Sequence, residues 1–374
     1  MEEEGISFTA GKGVFYNPSM RFCRSMSSLA VGAIGEEIEV VDAFCASGIR
    51  GIRYAKENRN VKKLTSLDIE KKAISLAKKN AKANKIGKSA KNKQPFVSVC
   101  ANISRAAFGL DADFLEIDPF GTPSPYLVDA FRFFNTKKAA FLSVTATDVA
   151  VLCGGKLGPC LKNYHSVPMN NEFTHETGLR ILVKRIAEVA AEFNMGISPL
   201  VSFSDRHYLK SVLSVKRSAD LAEKSMKSLG HVSYCKKCGW RGSGKFPMPC
   251  ANCAETGNPK PETLFAGPLW LSELHDAAFL AAMRTLNEKR GYADRDEIAR
   301  MLSLMEGECG MPPYHYDVHR MCRTLGTGGV PKMENAMKSI SDAGYEVRRT
   351  HFSPVSLKTD APYGTVAEAM RWKS

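Results

Sequence analysis

Asp42-Ala43-Phe44-Cys45-Ala46-Ser47-Gly48-Ile49-Arg50-Gly51 is the stretch on which the fold turns. An apolar run from Ile38 to Phe44 leads into it and reads as a buried strand. Gly48 to Ala55 reads as the start of a helix, joined to that strand by small residues. Leu64-Thr65-Ser66-Leu67-Asp68 is a second strand, ending in an acid about twenty residues past the turn. A helix is expected from Glu70 to about Asn84, with Ala73, Ile74, Ala77 and Ala81 on one face. Strands over 95–100, 113–118 and 139–145 and a helix over 124–134 continue the series. The alternation predicts an α/β, Rossmann-like parallel sheet covered by helices, with ligands at the carboxyl ends of the strands.

The turn has the small residues that close backbone approach to a cofactor requires, although Ala46 and Ser47 stand where a GxGxxG loop has its first glycines. Asp68 can accept both hydroxyl hydrogens of an adenosine ribose, which suits nicotinamide dinucleotides and S-adenosylmethionine alike. The fourth strand separates the two. It ends Glu116-Ile117-Asp118-Pro119-Phe120-Gly121, delivering an acid, a proline and an aromatic ring to the site edge. Pro119 removes a donor and fixes φ, leaving Asp118 and nearby carbonyls as acceptors, and Phe120 can stack on a planar base. Acceptors beside a stacking ring suit an exocyclic amine. A dehydrogenase has no use for such an amine site.

The formal charge is +13, and it is unevenly placed: residues 71–110 hold ten bases and no acid. A field so concentrated suits a polyanion such as nucleic acid; the alternative is a solvated helix face. A smaller accumulation over 205–245 includes Arg206, Lys210, Lys216, Arg217, Lys236, Lys237, Arg241 and Lys245. No uncharged stretch reaches the roughly 18 residues of a membrane span, and Met1-Glu2-Glu3-Glu4 does not begin a signal peptide. The expectation is a cytoplasmic monomer without an obligate protein partner.

Four of the eleven cysteines, Cys235-x2-Cys238 and Cys250-x2-Cys253, have the spacing of two metal knuckles. The segment between them is poor in apolar residues and has no evident way to fold without a metal, so structural Zn2+ is expected; a redox pair is the alternative. The other seven cysteines read as small core residues. Cys153 to Pro159 reads as a loop, Thr174 to Phe193 as a long helix, and 197–203 with 208–215 as an antiparallel pair. Asn258-Pro259-Lys260-Pro261 reads as a linker. Helices over 272–290, 294–306, 315–325 and 332–343 and a strand over 345–350 follow. The expected division is a Rossmann-like α/β domain over 1–263, with the zinc module near its end, and a smaller mixed α/β domain over 264–374.

The chain resembles the tRNA (guanine26-N2)-dimethyltransferase family. The matching stretches are Phe15 to Met20, Asp42 to Arg53, Asp118 to Gly121, Thr145 to Asp148, His175 to Val183, Gly267 to Trp270 and Arg349 to Pro354. The resemblance implies a class I methyltransferase domain, S-adenosylmethionine as donor, tRNA as partner and a carboxyl-terminal tRNA-binding domain. By position it implies a cofactor pocket of Arg24, Asp42, Ser47, Gly48, Arg50, Asp68, Ile69, Asn102 and Ile103. Asp118, Pro119, Phe120 and Phe15 then line the base pocket. Asn102 departs from the family, which usually has an acid after the third strand; its amide oxygen is a weaker acceptor for the adenine amine. The rival readings are methylation of another tRNA position, or only once, and a non-catalytic tRNA-binding protein.

Overall fold

The computed structural model describes residues 1–11, 13–87, 95–257 and 262–371; Lys88 and the expected linker at 258–261 lie outside them. In chain order the elements begin with a short pair, β1 (Glu2–Glu3) and β2 (Ile6–Ser7), and helix α1 (Arg21–Ala33). The series β3 (Ile38–Ala43), α2 (Ile49–Glu57), β4 (Val61–Asp68), α3 (Lys71–Ala83), β5 (Phe96–Cys100), α4 (Ile103–Ala106), β6 (Phe114–Ile117), α5 (Leu127–Arg132) and β7 (Ala139–Ala146) follows. After α6 (Val149–Leu152), α7 (Leu157–Tyr164) and α8 (Thr174–Glu192) come β8 (Met195–Asp205), β9 (Tyr208–Arg217) and α9 (Ala219–Lys227). The metal segment contributes β10 (Leu229–Cys235), β11 (Arg241–Gly244) and α10 (Ala251–Glu255), then β12 (Thr263–Trp270). The remainder is α11 (Ala277–Lys289), α12 (Arg295–Glu308), β13 (Tyr316–Asp317), α13 (Val318–Leu325), α14 (Met333–Asp342), β14 (Val347–Thr350), β15 (Ser353–Thr359) and α15 (Tyr363–Met370).

The large sheet has the order β5-β4-β3-β6-β7-β9-β8. Its first five strands are parallel, and β9 runs antiparallel to both of its neighbours. Chain order reverses between β3 and β6, so a crevice opens at their carboxyl ends, where ligands bind in open α/β sheets. Ile38, Val40, Val41 and Ala43 are all buried, as expected of a strand covered on both faces. Gly48 has φ +78°, and a Cβ there would lie 2.9 Å from the Ala77 Cβ, so the closeness of α2 to α3 requires glycine.

Several expectations need correction. The glycine stretch before Pro159 is partly helical: α7 runs through Gly158 and Pro159 because a first-turn residue needs no amide donor. The helix expected from 272 starts at Ala277, where the Asp276 carboxylate accepts from the Phe279 amide at 2.8 Å. Cys100 is exposed rather than a core residue.

The break expected at residue 263 falls where the structure is continuous. β12 pairs antiparallel with β10, closing the sheet β11-β10-β12. Leu280, Met283, Ile298, Leu302 and Met305 of α11 and α12 share a core with Phe22, Met26 and Leu29 of α1. A separate core forms only beyond, from Tyr316, Val318, Met321, Ala336, Ile340, Leu357, Val366 and Met370 around the sheet β13-β15-β14. Buried charges join this last unit to the rest: Glu176 of α8 accepts from Arg180 at 3.0 Å, from Lys358 at 2.5 Å and, at 3.1 Å, faces His315 Nδ1. Burial works against ionisation of Glu176, but Lys358, Arg180 and His315 outweigh it and hold its pKa far below the usual carboxylate range.

A chain ended after residue 263 leaves β10 an open edge and uncovers α1. It should show exposed apolar surface by dye binding and no sharp thermal transition; cooperative unfolding of that fragment would refute the packing argument.

Candidate active site

The crevice between β3 and β6 holds a cavity of about 370 Å³. The turn after β3 builds one wall. Phe44 and Ala46 adopt left-handed backbone, at φ +66° and +46°, a strained conformation for side-chain-bearing residues that lays backbone along the cavity. Asp68, at the end of β4, fixes this wall: its carboxylate accepts from the Ala46 amide at 2.9 Å and from the Glu70 amide at 2.9 Å.

The opposite wall is the turn after β6. Gly121 N–H donates to Thr147 Oγ1 at 2.7 Å, and the Thr147 amide donates to Gly121 O at 3.0 Å, so the Asp118 to Gly121 turn is pinned to the end of β7. Phe120 is 75% exposed and Phe15 53%, and their rings meet edge to face with centroids 4.6 Å apart. The arm carrying Phe15 is held by Glu3, whose carboxylate pairs with Arg24, with Arg53 at 3.0 Å and with the Tyr16 hydroxyl at 3.0 Å. Arg24 also donates to the Asn17 carbonyl at 3.2 Å.

Charge beneath the cavity is dense. Asp118 pairs with Arg50, which also donates to Ser27 Oγ at 3.2 Å. Glu116 and Lys210, both without solvent exposure, pair with each other; Tyr54 donates to Glu116 at 2.8 Å, and Lys210 to Thr145 Oγ1 at 2.9 Å. Burial tends to raise the pKa of Asp118, but Arg50, Lys210 and hydrogen bonding from Thr145 hold it below the usual value. Asp42 moves the other way, to about 7, because burial and the charges of Glu116 and Asp118 exceed the help from Arg50 and the Gly51 amide. Two carboxylates in one cavity with oppositely shifted pKa values are typical of a reaction centre.

Asp118, Pro119, Phe120, Phe15, Arg24, Asp42, Ser47, Arg50, Asp68 and Ile69 therefore line one cavity. Three expected cofactor residues do not. Gly48 serves α2–α3 packing, Ile103 is buried among Val41, Ala43 and Leu67, and the Asn102 side chain caps α4, accepting from the Ser104 amide at 2.8 Å. Tyr16, Asn17, Met20 and Thr147 also line the cavity; sequence reasoning misses them, although they fall within the matching stretches Phe15 to Met20 and Thr145 to Asp148. Lys210 and Arg241, counted with the basic surface over 205–245, are buried.

The four knuckle cysteines converge. Sγ separations are 3.8 Å for Cys235–Cys253, 3.4 Å for Cys238–Cys250 and 3.8 Å for Cys238–Cys253. A tetrahedron of Zn–S bonds of about 2.3 Å has edges of about 3.8 Å, so the donor set fits Zn2+ with no position left for substrate. The knuckle is also a joint. Tyr363 of α15 donates to the Cys238 carbonyl, and the Arg241 guanidinium lies 4.1 Å from the Tyr316 ring centroid. A second group of donors, His275, Glu308 and His351, reads as a hydrogen-bond junction. Glu308 Oε1 accepts from the His351 amide at 2.6 Å and the Thr350 hydroxyl at 3.0 Å, and the Lys358 ammonium, 3.4 Å from Oε2, opposes a further cation.

With this geometry in view, comparison with known proteins is decisive. The family model for N2,N2-dimethylguanosine tRNA methyltransferases matches residues 1–371. The chain belongs to this family. It is similar to the tRNA (guanine(26)-N(2))-dimethyltransferase of Methanothermobacter thermautotrophicus, with 33% identity covering 96% of this chain and 92% of that one. The enzyme of the same name from Thermococcus kodakarensis is 35% identical, covering 96% and 93%. The structure of Pyrococcus horikoshii Trm1 in complex with S-adenosyl-L-methionine superposes with a TM-score of 0.87 at 30% identity, covering 99% of each chain. The family uses S-adenosylmethionine and acts on tRNA. No helix among the described residues is long and apolar enough to cross a membrane.

Purified protein should carry about one zinc per chain by elemental analysis. Cys238→Ser should lose it and increase hydrogen exchange over residues 316–371; loss of zinc with unchanged exchange there would refute the joint.

Proposed function

We propose that this chain methylates the exocyclic N2 of guanine 26 in tRNA twice, giving N2,N2-dimethylguanosine, and works as a cytoplasmic monomer. The observation that carries this reading is the Asp118-Pro119-Phe120 turn, placed in the same cavity as Asp68 with the Phe15 ring across its mouth. The residues fit S-adenosylmethionine: Asp68 for the ribose, Ile69 beside the base, and Arg24, Asp42 and the 44–47 backbone for the remainder. When bound, it supplies an electrophilic methyl group.

The chain's own residues do the rest. A guanine inside folded tRNA must leave its stack to enter such a cavity, and the exposed Phe15 and Phe120 rings offer it replacement stacking. The guanine amine is a weak nucleophile because its lone pair is delocalised. Ionised Asp118 accepts an N–H hydrogen bond, fixes the amine, and offsets positive charge developing on nitrogen. Its depressed pKa makes it a better acceptor than proton store, and the methylated amine is acidic enough to release its proton to water. After the first transfer one N–H remains, so the same acceptor serves the second.

The RNA backbone has a matching surface. Lys71, Lys72, Lys78, Lys79, Lys82 and Lys85, on or just after α3, are all exposed, and no ion pair to them is seen among the described residues. Elsewhere exposed lysines do pair, as in Lys62–Glu37 at 2.6 Å and Lys338–Asp342 at 2.8 Å. α3 begins just past Asp68, so phosphates along it lie beside the cavity. The unit from Tyr316 to Met370 is proposed as an accessory tRNA contact. Residues 264–374 hold fourteen bases and fourteen acids, so that contact rests on a local patch.

Incubation with labelled S-adenosylmethionine and unmodified tRNA, followed by nucleoside mapping, should place label on N2 of guanine 26 as mono- and then dimethylguanosine. Asp118→Ala should abolish transfer with tRNA affinity nearly unchanged; substantial residual turnover would defeat the assignment. Neutralising Lys78, Lys79, Lys82 and Lys85 should flatten the dependence of tRNA affinity on salt, by about 0.7–0.9 in logarithmic slope for each phosphate no longer neutralised. An unaltered slope would return α3 to a solvated face.

A further inference from the structure

Lys210 is a fully buried lysine that the mechanism above does not use, and its surroundings give it work to do. It lies directly opposite Thr145 in the antiparallel β7–β9 ladder, and its ammonium donates to Thr145 Oγ1 at 2.9 Å. It also pairs with Glu116 of β6, two residues before Asp118. A hydroxyl has one hydrogen. With the Thr145 oxygen accepting from Lys210, that hydrogen is free to point to an acceptor, and Asp118 is the residue beside it: Glu116 pairs with Ser143 and Ile117 with Val144 in the parallel β6–β7 ladder, and the next step along it brings Asp118 against Thr145. Arg50 pairs with the same carboxylate.

A structural reading of Lys210, as partner to Glu116, leaves much unexplained. Buried ion pairs are weak sources of stability, and apolar replacements of similar size are often neutral or better. We propose that Lys210 and Thr145 are positioning residues for methyl transfer: the ammonium sets the hydroxyl, and the hydroxyl sets the carboxylate that accepts the guanine amine. The inference rests on the role given to Asp118. It extends the reacting group's support from the cavity wall to β9, on the far side of β7.

The test is single-turnover methyl transfer across pH with Thr145→Val, and with Lys210→Met combined with Glu116→Gln so that neither charge is left unpaired. Misplacement of a reacting group by remote change costs up to about a hundredfold in rate, so both proteins should lose between tenfold and a hundredfold in kcat, with KM for tRNA unchanged. Asp118 is held below its ordinary pKa, so wild-type rates stay level as pH falls toward about 5, whereas removing its supports should move the acid limb to higher pH. Thr145→Val with wild-type kcat and an unmoved acid limb overturns the inference while leaving the methyltransferase reading intact. A double variant that melts like wild type and recovers full rate overturns it as well, because the pair would then be structural. A wild-type chain without activity defeats both.

Discussion

Arg50 and Asp118 meet where the two halves of the cavity join. Arg50 belongs to the first turn of α2, directly after the strained turn that follows β3; Asp118 opens the turn that follows β6. Their contact crosses the place where strand order reverses, so it ties the cofactor wall to the base wall. Removing either partner leaves a charge in a poorly solvated place, a change that costs about 3–5 kcal/mol in comparable buried pairs. This interaction is the largest single support for the ionised Asp118 carboxylate, and Lys210 and Thr145 add to it. Asp42, next to it but paired mainly with backbone, ends with the opposite shift.

The same logic recurs at larger scale. Glu3 gathers Arg24, Arg53 and Tyr16, fixing the arm that presents Phe15. Glu176 gathers Arg180, Lys358 and His315, fixing the last unit against α8. Each is a single buried carboxylate that offsets its loss of hydration by accepting from several donors. Between them the metal knuckle supplies a rigid stop through Tyr363 and Arg241. Geometry at the cavity is consequently shared with segments distant in sequence, which is why the chain divides poorly at residue 263.

Much of this is legible in the sequence, for reasons that can be stated. Strand ends in a parallel sheet restrict residue type, so Asp42, Asp68 and Asp118 announce themselves by position. Four cysteines at knuckle spacing do the same. Asn102 is less plain, because a polar residue before a helix serves equally as a cap, and its amide oxygen does accept from the Ser104 amide. Lys210 passes for surface because neighbouring Arg206, Lys216 and Arg217 are basic; its burial depends on Glu116, 94 residues away. β15 and α15 escape notice although β15 closes a tight hairpin with β14, Thr350 against Ser353, because its other edge is covered by β13 and α15 packs on α13 and α14, all earlier in the chain. The apolar faces of α11 and α12 are visible, but not that α1 is their cover.

The exposed groups complete the argument. Phe15 and Phe120 present apolar rings to solvent, and six lysines along and after α3 face it with no ion-pair partner among the described residues. Neither arrangement helps the isolated chain: apolar rings gain from being covered, and like charges close together repel. Both become favourable against one partner that brings a detachable planar base and a dense row of phosphates. On the proposed reading, the phosphates supply attraction that is indifferent to sequence and weakens with salt, while the rings and Asp118 act only on a base that has left its stack. Selection of the guanine therefore occurs after docking, at the energetic cost of unstacking. On that reading, such a surface would bind many tRNAs and methylate those whose target base the docked position allows to flip.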